Sequence, residues 1–386
     1  MSSGALEVEL IDELGALAGL RPEWDGLAVA DALPLMAPDW VIAWLEHLAP
    51  ADAVPRVVCV RERGALIGLA PFYVREGRRG RIDYRLPGIE LAARLAPLAA
   101  PGREWEVAGA IAGALAGASP RPDLVALEGM PPESCWLAAL RELWPGRVRP
   151  FARTYHVHGC PTVTLAGTYE SWLSSRGASF RKNLRRRGRM LEAEGGALRL
   201  GTPETLEADV ASLLELHAGR WRERGESSLL TPGERMPAML IQAGRALTPS
   251  GRFRVWLAEV EGRPIWANLF LSAGGELLAV NSGWDEEYAR LSPPLLGMAR
   301  AIEDAYARGE RRLDIGIGDD SFKLQFANGN APVAWGILAV ANRRLAATAA
   351  RTAPMLASGA VRDAAKRTLT PEQIERLRGA RRKLAR

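Results

Sequence analysis

The sequence has few cysteines, few histidines and few lysines. Its three cysteines form no C-x-x-C pair, so neither a zinc knuckle nor a disulfide framework is expected. Its four histidines stand at no metal-ligand spacing with a carboxylate, and no G-x-S-x-G sequence occurs, so we expect neither a histidine-based metal site nor a serine hydrolase. Only four of the 50 basic residues are lysines, which draws attention to Lys182 and Lys323, because lysine is the cation that can lose its proton when it is buried.

Long hydrophobic runs are also missing. No apolar segment approaches the roughly 20 residues of a membrane span, and the first residues are acidic, unlike the basic start of a signal peptide. We therefore expect no membrane span and a cytoplasmic location. A composition of 48% hydrophobic and 25% charged residues over a chain of 386 predicts a globular protein of more than one domain.

Positive charge is concentrated in two places, although the net charge is only +5. Residues 343–386 hold 12 basic and three acidic residues, and the segment from Arg176 to Arg199 holds eight basic residues against two glutamates. Two basic patches indicate phosphate-bearing partners, and solvated helix faces are the alternative. The oligomeric state is not indicated by the sequence.

Hydrophobic periodicity predicts a mixed α/β protein in which strands and helices recur in a similar order in both halves. In the second half three strands, from Phe253 to Ser282, precede a helix that starts near Pro293 and a strand that starts at Arg312. A capping box at Thr370 predicts a further helix in the basic tail. Hairpin strands followed by a crossover helix and a strand allow a sheet to splay and admit a ligand beside the helix N-terminus.

Three segments carry residues suited to chemistry. The helix predicted over residues 179–192 aligns cations that include Arg181, Lys182 and Arg185, which suits phosphate or a solvated surface. The segment from Asn281 to Tyr288 leads through Ser292 into a helix, an arrangement that traps anions. The third segment places Asp314 in a strand and Lys323 after a glycine-rich bend.

Together these segments resemble, over roughly residues 159–341, the CelD/BioF-like acetyltransferases of the GNAT superfamily, which are related to the Fem-type peptidyltransferases. The residues that carry the resemblance are Arg181 to Arg186, Arg220 and Trp221, Asp285, Tyr288, Ser292 and Pro293, and the run from Asp314 to Lys323. The resemblance implies an α/β fold of tandem GNAT-like domains, each a mixed, mostly antiparallel sheet flanked by helices. It divides the chain into a degenerate domain over 1–158, an acyltransferase domain over 159–342 and a basic helical tail over 343–386.

The same resemblance implies an acyl donor held at the splayed strands of the second domain. His217, Asp285 and Asp314 are candidate bases, and Tyr288 is a candidate proton donor to the leaving thiolate. Backbone N–H groups of Ala279, Val280 and Asn281 suit an oxyanion. Pro294 replaces the family's glycine and removes one N–H, so pyrophosphate binding is expected from Ser292, Leu295, Leu296 and Gly297. The expected substrate-binding residues are Arg181, Lys182, Arg185, Arg220, Trp221, Trp284 and Lys323.

The leading hypothesis is an N-acyltransferase that moves an acyl group from acyl-CoA to an amine of a small-molecule or peptidoglycan-like acceptor, without a metal. The alternative is a Fem-like aminoacyl or peptidyl transferase that takes its donor from tRNA, which the basic helix and tail would bind. A non-catalytic binding module with the GNAT fold is the third hypothesis.

Overall fold

The computed structural model describes residues 5–77, 80–223 and 235–342, together with Thr348, Thr352 and Ala353. The side chains of residues 221–223 are not among those described. The tail helix predicted from Thr370 and most of the basic segment 343–386 therefore lie outside the described residues. None of the helices in the described ranges combines the length and the apolar character needed to cross a membrane.

The first sheet is built mainly from the N-terminal half and has the strand order β1-β2-β3-β4-β6-β15-β7, with β5 paired to β3. All its ladders are antiparallel except the parallel pairing of β4 with β6. Its strands are β1 (Leu6–Ile11), β2 (Val54–Glu62), β3 (Ala65–Gly77), β4 (Arg81–Arg85), β5 (Leu98–Ala99), β6 (Leu124–Met130), β7 (Phe151–His158) and β15 (Val333–Ala339).

The second sheet belongs to the C-terminal half and has the order β14-β8-β13-β12-β11-β10-β9. Here too the pairing is antiparallel except for one pair, β12 with β13. Its strands are β8 (Pro161–Thr164), β9 (Gly196–Leu200), β10 (Phe253–Val260), β11 (Arg263–Ala273), β12 (Glu276–Trp284), β13 (Arg312–Asp314) and β14 (Gly329–Asn330). The predicted mixed, mostly antiparallel sheets are therefore confirmed.

Helices flank both sheets. They are α1 (Arg21–Ala30), α2 (Pro38–His47), α3 (Glu104–Gly117), α4 (Trp136–Glu142), α5 (Tyr169–Ser175), α6 (Ala178–Ala193), α7 (Leu206–Glu223), α8 (Arg235–Leu247), α9 (Pro293–Ala307) and α10 (Ser321–Leu324). Short 3-10 helices span Leu14–Leu20, Pro34–Met36 and Glu286–Leu291. Gly177 separates two of these helices, since α5 ends at Ser175 and α6 begins at Ala178.

Alternate residues of β11 face two different cores. Trp266 and Phe270 pack with α5, α6 and α9, whereas Ala267 and Leu269 pack with α7 and α8. This follows from the two-residue repeat of a strand, which sends successive side chains to opposite faces. The core on the α7 face continues into the first sheet, so the two halves share one apolar interior.

The halves are also joined by polar contacts and by the chain itself. Asp25 of α1 accepts hydrogen bonds of 2.6 and 2.7 Å from Arg252, and His47 lies 2.6 Å from the side chain of Gln242. After β14 the chain returns to the first sheet, where β15 lies between β6 and β7. The first sheet therefore combines strands from the N-terminal half with β15, which follows the second sheet in the chain.

Candidate functional site

The second sheet opens between β12 and β13. Their parallel ladder covers only Glu276–Leu278 and Arg312–Asp314, after which β13 ends and the chain bends at Gly316 and Gly318 with φ of +86° and +106°. β12 continues to Trp284 in contact with β11, and its register shifts by one residue at Val280. The edge of β12 from Ala279 onward is thus left without β13 beside it, as predicted from the strand and helix order.

A cavity of about 1050 Å³ fills this opening. Ten predicted site residues line it: His217, Arg220, Ala279, Val280, Asn281, Trp284, Ser292, Leu295, Asp314 and Lys323. Its walls include residues of α7 on one face of the sheet and of α9 on the other, so the cavity reaches both faces through the gap. The N-terminal half supplies a further wall through residues 89–93.

His217 is placed on α7 with one ring nitrogen fixed. Its Nδ1 lies 3.0 Å from the carbonyl oxygen of Ser282, an acceptor, so Nδ1 carries the proton and Nε2 is the basic nitrogen of the neutral ring. Burial lowers the pKa of His217 below its usual 6.5, Arg220 lowers it further, and the bond to Ser282 opposes the shift. The imidazole is therefore neutral at physiological pH and suited to accept a proton.

Gly283 sets the distance between α7 and β12. A Cβ atom at this position would overlap backbone atoms of Leu216 and His217. Because a helix backbone cannot move aside as a flexible side chain can, only glycine allows α7 to pack this close. The hydrogen bond from His217 to Ser282 depends on that approach.

Asp314 is fully engaged by neighbouring donors. Its Oδ2 accepts hydrogen bonds from Nε and Nη2 of Arg94, at 2.9 and 2.5 Å, and its Oδ1 accepts one from the N–H of Gly316 at 2.7 Å. Arg94 and Asp314 are both buried, and Arg94 also donates to the carbonyl of Ala331. A carboxylate held in this way is stabilised as an acceptor and fixes the bend after β13, which suits a structural role better than proton abstraction.

Lys323 lies against the glycine-rich bend. Its Nζ donates to the carbonyl oxygen of Ile317 at 2.5 Å and lies 4.0 Å from Asp320, an exposed partner. Burial lowers the pKa of Lys323, and Asp320 opposes that shift. The ammonium of Lys323 therefore lies in the cavity wall, where it is held by one carbonyl and has only a distant carboxylate nearby. A cation in these surroundings is suited to bind a substrate oxygen.

The N-terminus of α9 offers few backbone donors to a ligand. Pro293 and Pro294 have no N–H, and the N–H groups of Leu295 and Leu296 both donate to the carbonyl of Ser292, at 3.0 and 3.4 Å. Ser292 is left-handed, with φ of 52°. Gly297 is buried against the ring of Trp266, which a Cβ atom would overlap, so its role in the structure is close packing. These features reduce the capacity of this helix to bind pyrophosphate.

The cations of α6 differ in their surroundings. Arg181 donates to the carbonyls of Ser174 and Arg176 and so caps the end of α5. Lys182 and Arg185 are exposed and form no ion pair with any described residue. Asn183 of the same helix lines the cavity, whereas Lys182 and Arg185 are not among the residues that line it.

A smaller cavity of about 420 Å³ adjoins the larger one, with Arg220 and Trp284 lining both. Asp285 lines the smaller cavity, where it pairs with Arg263 at 2.8 Å and accepts the N–H of Glu287 at 3.0 Å. Tyr288 lies under the guanidinium of Arg263, 5.6 Å from ring centroid to Cζ, and is not among the described residues that line either cavity. The side chain of Trp221 lies outside the described residues.

Among the lining and supporting residues that sequence reasoning missed are Arg94, Cys160 and Asn268. Arg94 and Cys160 come to the site through contacts distant in sequence, for which the sequence holds no local signal. Asn268 is a polar residue in an otherwise apolar strand, and that exception was a usable signal. No group of potential metal ligands occurs among the described residues.

Residues 178–324 match the family model described as an acetyltransferase (GNAT) domain. The matched segment runs from the start of α6 to the end of α10 and contains the opened strands and the cavity-lining residues His217, Asp314 and Lys323. No curated protein matches the chain in sequence.

Several solved structures share the fold across most of the chain. FemX is 10% identical with a TM-score of 0.62, covering 88% of this chain and 98% of its own. L-PGS from Bacillus licheniformis is 11% identical with a TM-score of 0.53, covering 87% and 95%. The C-terminal domain of a candidate lysylphosphatidylglycerol synthetase from Agrobacterium fabrum is 11% identical with a TM-score of 0.56, covering 86% and 95%.

At these identities the likeness concerns the fold. The family match indicates a GNAT acetyltransferase-type domain over residues 178–324, and these structures share the mixed α/β fold of two mostly antiparallel sheets flanked by helices. The narrower resemblance to the CelD/BioF-like family stays a prediction.

Proposed function

We propose that this protein is an N-acyltransferase that transfers an acyl group from acyl-CoA to an amine of a small-molecule or peptidoglycan-like acceptor in the cytoplasm. The observation that carries the proposal is the neutral imidazole of His217, held by Ser282 at the wall of a cavity that passes through the opened sheet. A donor on the α9 face and an acceptor on the α7 face can meet in that gap.

In the proposed reaction the acceptor enters as the neutral amine, and Nε2 of His217 accepts the proton that the amine nitrogen loses on attack. The amine nitrogen forms a bond to the thioester carbonyl carbon, and backbone N–H groups along Ala279 to Asn281 stabilise the oxyanion. Collapse of the tetrahedral intermediate breaks the C–S bond and releases the thiolate. Protonated His217 returns its proton to that thiolate, so Tyr288 is not required.

Direct transfer suits this site better than an acyl-enzyme. Cys160 is the cysteine that lines the cavity, and burial raises the pKa of its thiol to about 12. A thiol with so high a pKa supplies almost no thiolate at neutral pH and is a poor nucleophile.

The phosphates of the donor have to be held by side chains. The first turn of α9 contains two prolines, which have no N–H, and its next two N–H groups already donate to the carbonyl of Ser292. Helix α6 packs against α9 and carries the exposed Lys182 and Arg185. We assign the phosphate contacts to these two cations. Lysine binds phosphate as a point charge, and arginine binds it through two parallel N–H groups.

A Fem-like transfer from aminoacyl-tRNA is the second candidate. The same exposed row of cations on α6, without ion-pair partners among the described residues, favours a polyanion such as RNA. Binding of this kind falls steeply with salt, whereas binding of one CoA molecule falls less.

Calorimetric titration tests the proposal. The protein is titrated with acetyl-CoA, with a longer acyl-CoA and with deacylated tRNA, each at low and moderate salt. Saturable CoA binding supports the proposal. Salt-sensitive tRNA binding without CoA binding favours the aminoacyl transferase, and no binding of either favours a non-catalytic module.

His217→Gln then tests the chemistry. We expect it to bind acetyl-CoA as the wild type does but to release thiol, in the presence of a panel of amines, roughly 100-fold more slowly or worse. In the wild type the rate should fall as pH drops through a pKa below 6.5, since protonation removes the base. A variant with the wild-type rate would contradict the role of His217.

A further inference from the structure

Asn268 is a buried polar residue whose side-chain oxygen has no hydrogen-bond partner. It lies in the middle of β11, is 4% exposed and lines the large cavity. Its Oδ1 is fully buried and has no hydrogen-bond partner. A buried acceptor left in this state costs stability, so its presence in a cavity wall needs a reason.

The side chain of Asn268 faces the donor side of the sheet. Trp266, two residues earlier on the same strand face, packs against Gly297 of α9. On the opposite strand Asn268 is paired with Ser282, whose carbonyl fixes His217 from the other face. The amide therefore stands across the sheet from the proposed base, on the path of the donor.

The surroundings indicate the chemistry of the missing partner. Trp266, Leu295 and Met298 line the cavity on this face and belong to the apolar core under α9. A ligand chain passing here meets apolar surface and one carboxamide, which offers an acceptor and two donors. An aliphatic chain that carries a secondary amide complements both.

We propose that the carboxamide of Asn268 binds an amide of the donor's pantetheine arm and so positions the thioester beside β12. This inference rests on the proposed function, and it adds a specificity-determining residue to it. The unsatisfied acceptor is then a feature of the unliganded protein that the donor satisfies on binding.

Asn268→Leu tests the assignment, since leucine matches asparagine in shape and removes the polar group. We expect a rise in Tm of roughly 2–4 °C without ligand, because an unsatisfied acceptor disappears. We also expect the Kd for acetyl-CoA to rise roughly tenfold. Adenosine 3′,5′-bisphosphate, which has the nucleotide end but no arm, should bind the variant and the wild type equally.

Asn183→Leu is the matched control. It makes the same change at another residue of the cavity wall, but the amide oxygen of Asn183 already accepts hydrogen bonds from Arg186 and Arg187, at 3.2 and 3.4 Å. It should therefore not raise Tm. Asn268→Ala provides a second binding measurement if the leucine variant does not fold.

The outcomes separate the two proposals. Equal acetyl-CoA binding by the wild type and the Asn268 variants overturns the assignment of Asn268 and leaves the acyl-CoA proposal standing. Weaker binding of adenosine 3′,5′-bisphosphate as well also overturns it, since the effect would then not concern the arm. Absence of acetyl-CoA binding by the wild type overturns both.

Discussion

The two halves of the chain contain the same succession of a hairpin strand, a crossover helix and a parallel strand, but only the second opens its sheet. In the first half β4 pairs with β6, and β6 pairs on its other side with β15 along its length. In the second half β13 has three residues and ends in a bend at two glycines with positive φ. Both parallel ladders are three pairs long, and β13 is paired on its other side with β8 as β6 is with β15. What differs is the continuation of the strand, because β6 runs on to Met130 whereas β13 ends at Asp314 in the bend.

The helices at these positions also differ. The first turn of α3 contains Glu104 and Glu106, whose charges disfavour an anion at a helix N-terminus. The first turn of α9 has no acid, but it has two prolines. The closed half instead contributes residues 89–93 and Arg94 to the other half's site. Under the proposed function, the second half therefore holds the ligand and the first half supports the residues around it.

The largest effect is expected from Arg94, the residue of the first half that holds Asp314 in the second half. Arg94→Met leaves the buried carboxylate of Asp314 without its cation, which should lower the free energy of unfolding by about 3–5 kcal/mol. The loss is measured as a shift in the urea unfolding midpoint. The double variant Arg94→Met/Asp314→Leu should lose less than the sum of the single changes. Additive losses would show that the two side chains do not depend on each other.

A substitution at Gly283 tests whether the second half depends on the close packing of α7 against β12. Gly283→Ala forces α7 away from β12, and we expect a loss of roughly 1–3 kcal/mol in unfolding free energy together with a loss of thiol-release activity. Gly113→Ala in α3 of the closed half is the matched control, because nothing lies within 4 Å of the added Cβ. It should stabilise the protein by roughly 0.5–1 kcal/mol. Equal effects at the two sites would contradict the assignment of Gly283.

The smallest effect is expected on the surface of α6. Lys182→Gln with Arg185→Gln should weaken acetyl-CoA binding by roughly tenfold or less and leave Tm almost unchanged, because exposed charges contribute little to stability. Raising the salt concentration should reduce the difference between variant and wild type through screening. Calorimetry at two salt concentrations measures both. If the double variant binds acetyl-CoA as tightly as the wild type, α6 does not contribute to phosphate binding.

Much of the fold follows from local patterns. The alternation from Phe253 to Ser282 predicted β10, β11 and β12, and the Ser292-Pro293 pair located the start of α9. Both rest on properties of neighbouring residues: the two-residue repeat of strands and the fixed φ of proline at a helix start. The return of the chain to the first sheet through β15 cannot be predicted in this way, because no local pattern in residues 333–339 indicates which strands β15 pairs with.

The candidate site divides in the same way. The sequence indicated His217, Asp314 and Lys323 through their segments, and the structure places all three in one cavity wall. The sequence could not indicate that Arg94, 220 residues away, donates hydrogen bonds to Asp314. Nor could it indicate that the carbonyl of Ser292 accepts the first N–H groups of α9. Hydrogen bonds of this kind depend on which groups meet after folding.

The sequence by itself therefore determined the run from β10 to β13 with its crossover helix α9, and it singled out His217, Asp314 and Lys323. Tertiary structure decided the state of each polar group: His217 has a fixed tautomer and a lowered pKa, Asp314 accepts hydrogen bonds from Arg94, and the side-chain oxygen of Asn268 has no partner. The physical reason is that secondary structure is specified by interactions between near neighbours in the chain. Proton affinity and hydrogen-bond capacity depend on burial and on distant partners, which exist only once the two sheets share one core.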